Sequence, residues 1–192
     1  MTDQINLMIQ FDTELRRTGR TGLDPLLKAM KAGGFYTAPC SGAYHLAEEG
    51  GLLKHSLNVL DCARKLNKAW GQPMPDDTII LVSLLHDLGK MGDHGKANYV
   101  DNILASGQRS TAKPYVTNTD LAYLPHEVRS VMIAERYIYL SEEEETAILW
   151  HNGLYGTFSH DIRGKETPLY MILHFADMWC SRVIEEEKED TT

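Results

Sequence analysis

Residues 78–88 read TIILVSLLHDL, a helix-length run that is apolar on nearly every side and ends on an imidazole and a carboxylate. A helix with no polar face belongs in the centre of a domain, because no side of it can be left in water. Its last turn carries His86 and Asp87 inward with it. Burying such a pair beside Leu81, Leu84, Leu85 and Leu88 is costly unless each group finds a partner. A metal ion is the natural partner, since it takes imidazole nitrogen and carboxylate oxygen together. Adjacent residues of a regular helix point about 100° apart, so the pair converges only if the turn before Gly89 frays. Alternatively, the dipeptide is a helix C-terminus with a favourable histidine and a solvated aspartate. Gly89 stands where a left-handed cap is expected.

Apolar residues recur at helical spacing through most of the remaining chain. Ile5, Leu7, Met8, Phe11 and Leu15 mark an amphipathic helix over residues 2–18. Asp24 and Pro25 read as the cap and first-turn proline of a second helix that stops at Gly33-Gly34. After a glycine-rich loop, a longer helix runs from about Gly51 to Trp70, with Leu52, Leu53, Ser56, Val59, Leu60 and Ala63 facing inward. Pro73 and Pro75 break it, and Asp76 or Asp77 caps the central helix. Residues 93–123 are polar, and within them 99–103 and 114–117 read as short strands of a hairpin. Helices resume over 125–139 and, behind a Ser141/Glu144 capping box, through Trp150. Thr167-Pro168 opens a last helix that fades into EEEKED, a solvated helix end. The expected fold is all-α: a single helical bundle with a long loop or small β-hairpin insertion.

A net charge of -8, from 19 basic and 27 acidic residues, argues against an extended nucleic-acid surface. Cys40, Cys62 and Cys180 are odd in number, widely spaced and without a CxxC pair, which suggests reduced thiols. No apolar stretch approaches ~18 residues, so no membrane span is expected. The N-terminus MTDQINLMIQ lacks the charged-then-apolar order of a signal peptide. A cytoplasmic protein is expected, and a homo-oligomer stays open.

GGLLKHSLNVL places His55 on a helix among apolar neighbours, and LHFADMW puts Asp177 on another. A helical histidine, an apolar helix ending His-Asp and a late helical aspartate, with the motifs GGLLKHS and LLHDLGK, together resemble the HD-domain metal-dependent phosphohydrolase superfamily. The resemblance spans roughly Gly50 to Arg182. It implies an HD catalytic domain over 50–185, preceded by N-terminal helices and a loop over 1–49 that pack on it, and followed by an acidic tail at 186–192.

Carried over by position, the superfamily's metal ligands fall on His55, His86, Asp87 and Asp177. His126 in LPHEVRS and His151 in ILWHNG fit its dinuclear branch. One begins a helix and the other ends the next, and the opposed ends of such a helical hairpin face the same side. Asp87 would then bridge two ions. A donor set of this kind suits iron, manganese, zinc, cobalt or nickel better than calcium or magnesium. The resemblance further implies that a metal-activated hydroxide attacks phosphorus, with Asp87 and Lys90 as catalytic residues and Lys90 contacting phosphate.

Arg129, one turn beyond His126, can reach the same phosphate or form an ion pair with Glu127 or Glu135. His45, in YHLAEEGGLLKHS, is expected near the site as a proton donor or substrate contact. Trp150 and Tyr155 flank His151 and can stack a base, although Trp150 also suits a core. Residues 94–123 mix Lys96, Arg109 and Lys113 with Tyr99, Tyr115 and Tyr123, a composition suited to closing over a nucleotide. The expected partner is a small phosphate ester, a nucleotide or cyclic (di)nucleotide. The six-ligand pattern also resembles the superfamily's di-iron oxygenases, the second reading, and a nucleotide-binding module without turnover is the third.

Overall fold

The computed structural model describes residues 2–186. The apolar run forms α4 (Asp76–Leu85), whose side chains from Ile79 to Leu85 are all buried. Each of its large apolar side chains contributes roughly 1.5–3 kcal/mol by leaving water. That burial carries the His86-Asp87 end into the interior. Packed directly on α4 are α1 (Thr2–Arg17), α3 (Gly51–Ala69), α6 (Glu142–Trp150) and α8 (Pro168–Trp179). α2 (Leu23–Ala32) lies against α1, α5 (His126–Ala134) against α6, and a short α7 (Ser159–Ile162) precedes α8. One core joins Phe11, Leu15, Leu26 and Met30 of the N-terminal helices to Leu53, Leu81 and Leu173. The mostly helical fold with a small hairpin is therefore as expected. Among the described residues, no helix is long and apolar enough to cross a membrane.

The hairpin pairs β1 (Tyr99–Asp101) with β2 (Tyr115–Thr117), antiparallel, with Tyr99 opposite Thr117. Ile103 lies beyond the strand, in an isolated bridge to Arg109. The Ser141 capping box forms as expected: the Glu144 N–H donates to Ser141 Oγ, and the Ser141 N–H donates to Glu144 Oε2 at 2.8 Å. Thr167 caps α8, with Pro168 in its first turn.

Other boundaries differ from expectation. Helix α2 starts behind Gly22, at φ 93°, and Asp24 does not cap it but pairs with Arg16. Pro75, not an aspartate side chain, precedes α4, and Asp76 pairs with Arg64 at 2.8 Å. Helix α5 stops at Ala134, short of Tyr139.

The central helix ends three residues early, at Leu85, and Leu88–Met91 form a 3-10 turn. Gly89 is not a left-handed cap; the positive φ of this turn falls at Gly92, at φ 98° with ψ -167°. Glycine is required at 89 for another reason. A Cβ there would run into the His126 carbonyl oxygen and crowd Arg129. The Gly89 N–H donates to Ser130 Oγ, which donates to the His126 carbonyl, each at 2.8 Å. This close approach seats the start of α5 on the turn that carries Asp87.

The expected solvated end of α8 is also corrected. A π-helical turn, Cys180–Ile184, follows α8 and returns Glu185 to the interior. Of the expected acidic tail, residues 187–192 lie outside the described residues.

Candidate metal centre

Five segments of the fold converge on Asp87. His55 lies in α3, His86 and Asp87 follow the last residue of α4, His126 begins α5, His151 follows the last residue of α6, and Asp177 lies in α8. The early end of α4 lets His86 and Asp87 converge, which a continuous helix would forbid.

His55 Nε2 stands 3.1 Å from Asp177 Oδ1, 3.3 Å from His86 Nε2 and 3.5 Å from Asp87 Oδ2. His86 Nε2 lies 3.4 Å from the same Asp87 oxygen. Across the carboxylate, Asp87 Oδ1 is 3.1 Å from His126 Nε2 and 3.5 Å from His151 Nε2, and those two nitrogens are 3.3 Å apart. Donors about 2.0–2.1 Å from a shared tetrahedral ion stand roughly 3.4 Å from one another. His55 and His86 thus gather on one oxygen of Asp87 and His126 and His151 on the other, while Asp177 pairs with His55 and also groups with His86 and His151 between the two sides.

The outer faces of the imidazoles settle which nitrogen points inward. His86 Nδ1 faces the Ser83 carbonyl at 2.9 Å, and His151 Nδ1 the Ile148 carbonyl at 2.6 Å. His55 Nδ1 faces Glu185 Oε2 at 2.8 Å, and His126 Nδ1 faces Glu127 Oε2 at 3.2 Å. Each Nδ1 meets an acceptor and therefore carries its proton, leaving an Nε2 lone pair directed at the centre. Two lone pairs facing each other repel unless a proton or a cation lies between them.

The ionisation tendencies obey the same constraint. Burial holds His86 and His126 below the ordinary imidazole range. Burial also opposes charge on His55, but Cys40 and Asp177 outweigh it and raise His55 well above that range. His151 is raised because Asp87 outweighs its burial. Within each facing pair one imidazole is thus pushed toward the charged form and the other away from it, and a divalent cation between the nitrogens would serve both. Asp87 Oδ1 is buried without a hydrogen-bond partner. Burial opposes the charge of Asp87, yet Lys90 and His86 keep it ionised well below the usual carboxylate range. Two donor groups of nitrogen and oxygen that share one carboxylate, with its Oδ1 orphaned, fit a divalent transition metal.

Glu185 and Glu127 were missed as site residues, and neither has a sequence signal. Glu185 sits in what reads as a charged tail, yet it is buried and takes Asn58 Nδ2 on its other oxygen at 2.8 Å. Cys40, read only as a reduced thiol, is fully buried beside the centre. Burial opposes its ionisation, but the charges of His55 and Lys90 bring the thiol down to about 7.

The remaining expected residues divide. Lys90 reaches the centre, with Nζ 2.7 Å from Asp87 Oδ2. A cavity of about 630 Å³ opens at His126, walled by Tyr99, Asn118, Tyr123, Arg129, Asn152 and Tyr155. Arg129 is no surface ion pair: it is buried, with Nη2 donating to the Ala122 carbonyl at 2.8 Å. Tyr155 is largely exposed at the cavity rim. Trp150 is not part of that wall; it packs on the core, edge-on to Tyr170. His45 is not in the wall either, and its Nε2 lies 3.4 Å from Cys40 Sγ. In the insertion, Arg109 stacks on Tyr115 and pairs with Asp101, and Lys96 donates to the Asp120 carbonyl. Those two cations are held within the insertion, whereas Tyr99 and Tyr123 face the cavity.

The model of the HD domain family matches residues 52–177. No curated protein and no solved structure matches the chain.

Proposed function

The chain belongs to the HD domain family, a superfamily of metal-dependent hydrolases, and from that premise we propose that it hydrolyses a nucleotide or cyclic (di)nucleotide phosphoester. The observation that carries the proposal is the pair of donor groups meeting on the two oxygens of Asp87. His55, His86 and Asp87, with Asp177 beside His55, would hold one ion, and Asp87, His126 and His151 a second. Bound there, divalent metal supplies Lewis acidity and lowers the pKa of water to make a nucleophile at neutral pH.

The protein's own groups bind and orient the substrate. The open, three-donor side of the centre adjoins the cavity, so the phosphoester enters past His126. Lys90 brings a positive charge that offsets phosphate, and its pairing with Asp87 fixes where that charge stands. Burial opposes protonation of Lys90, but Asp87 holds its pKa well above the ordinary lysine value, so it stays cationic. Arg129 adds a second cation in the cavity wall, and Tyr99, Tyr123 and Tyr155 offer rings for a base.

The test pairs elemental analysis of protein purified without chelator with phosphate release from a panel of nucleotides and cyclic dinucleotides. Two ions per chain and release of phosphate or nucleoside monophosphate are expected. Two irons without hydrolysis, together with oxygen uptake, would move the assignment to the oxygenase reading. Nucleotide binding without turnover would leave a sensing module.

Glu185 is expected to act through His55 as a positioning residue. Glu185→Ala frees the ring and lowers its basicity, so affinity for the ion falls by about 10–100-fold. Glu185→Gln keeps an acceptor for Nδ1 and loses less. Competition against a chromophoric chelator reads both variants, and an unchanged affinity in Glu185→Ala would make the contact merely structural.

A further inference from the structure

We infer that Cys40 is an additional ligand of the His55 side of the centre, a sulfur donor seated by His45, so that this position selects a thiophilic divalent cation while the His126–His151 position stays all nitrogen and oxygen. The inference rests on the metal-centre reading above. It concerns a residue that the His-Asp ligand pattern does not include.

The loop between α2 and α3 closes on itself over residues 40–46. The Cys40 N–H donates to the Leu46 carbonyl at 3.1 Å, and Ser41 Oγ both donates to the His45 carbonyl and accepts from the Tyr44 N–H. That closure delivers Cys40 and His45 together to the face of His55. Ligand atoms of Cys40, His45 and His55 all lie within 4.8 Å of one another. Cys40 Sγ is 4.0 Å from Asp87 Oδ2 and 3.9 Å from Lys90 Nζ. Sulfur at about 2.3 Å and oxygen at 2.0–2.2 Å from one ion stand roughly 3.1 Å apart at right angles and roughly 4.4 Å apart in line, so the observed separation suits two ligands of an ion whose coordination expands to five.

A buried cysteine commonly serves as a small apolar filler. Here its polar surroundings, His45, His55, Asp87 and Lys90, argue against that use. Coordination would release the thiol proton to solvent, and the Lys90 ammonium would offset the resulting thiolate charge. His45 Nε2, facing the sulfur, orients it. Thiolate favours Zn2+, Cd2+ and Co2+ over Mn2+ or Mg2+, so the two positions differ in metal preference.

Cobalt loading of the whole chain tests this without an activity assay. The wild-type protein is expected to show a thiolate-to-cobalt charge-transfer band in the near ultraviolet beside the visible bands of bound Co2+. Cys40→Ser should lose the ultraviolet band and keep the visible ones, whereas Cys62→Ser keeps both. A bound cobalt without the ultraviolet band, or a band that survives Cys40→Ser, overturns the inference and leaves the rest of the centre standing. A chain that retains no cobalt on elemental analysis would remove the centre and this inference together.

Discussion

Asp87→Ala is expected to empty both metal positions and to lower phosphoester hydrolysis by about three orders of magnitude or more, the equivalent of roughly 4 kcal/mol at the transition state. Asp87 contributes a donor to both sides: Oδ2 lies with His55 and His86, Oδ1 with His126 and His151. The same substitution strands the Lys90 ammonium, which is largely buried against Asp87 Oδ2. Removing one partner of a buried ion pair costs about 3–5 kcal/mol, so this variant also unfolds at lower urea. The double variant Asp87→Ala/Lys90→Met removes the stranded charge and should regain much of the stability while staying metal-free and inactive. Metal content, phosphate release and urea titration of the two proteins separate the chemical loss from the structural one. Full turnover in Asp87→Ala would show that the centre is not the active site.

The part of this site legible in the sequence is the part written as local pattern. An apolar helix ending His-Asp leaves a buried, partnered pair and a solvated helix end both open, and the GGLLKHS and LHFADMW segments tip the reading to the first; α4 is the buried axis of the bundle. The capping box at Ser141 and Glu144 and the Pro168 start of α8 are equally local, because each depends on residues three or four apart. What could not be read depends on contacts between distant segments. Gly89 looks like a helix cap, but its role is to let α5 approach within bonding reach of the turn. Glu185 belongs to an acidic run that by composition should face water, and only the π-helical turn after α8 returns it to His55. Trp150 flanks a histidine of the centre in sequence, yet on α6 its neighbour in space is Tyr170. Adjacency along the chain is a poor guide to adjacency around a helix, where successive side chains diverge by about 100°.

The second large effect is a change in how stability depends on pH when metal is removed. In the chelated protein, His55 and His151 are raised above the ordinary imidazole value of 6.5. Their contribution is fully present below that value and is lost as pH rises through their folded-state pKa values. His86 and His126 are lowered from the same value, so the unfolded chain gains protons that the folded one refuses, and stability falls as pH drops below 6.5. Asp87 and Asp177 are lowered from 3.8, and they withdraw further stability as pH falls through their folded-state values. The chelated protein should therefore be most stable near neutrality and lose stability on both sides. Metal competes with protons for these nitrogens, so its affinity, and with it the stability it confers, grows as pH rises through the imidazole range. Thermal unfolding with chelator and with saturating metal, from about pH 6 to about pH 8.5, is expected to give a gap between the two midpoints that widens with pH. A gap of constant size would mean that metal displaces no proton from these pairs. In that case the facing histidines would be a proton-sharing cluster that the bundle encloses, and the ion would have to bind elsewhere.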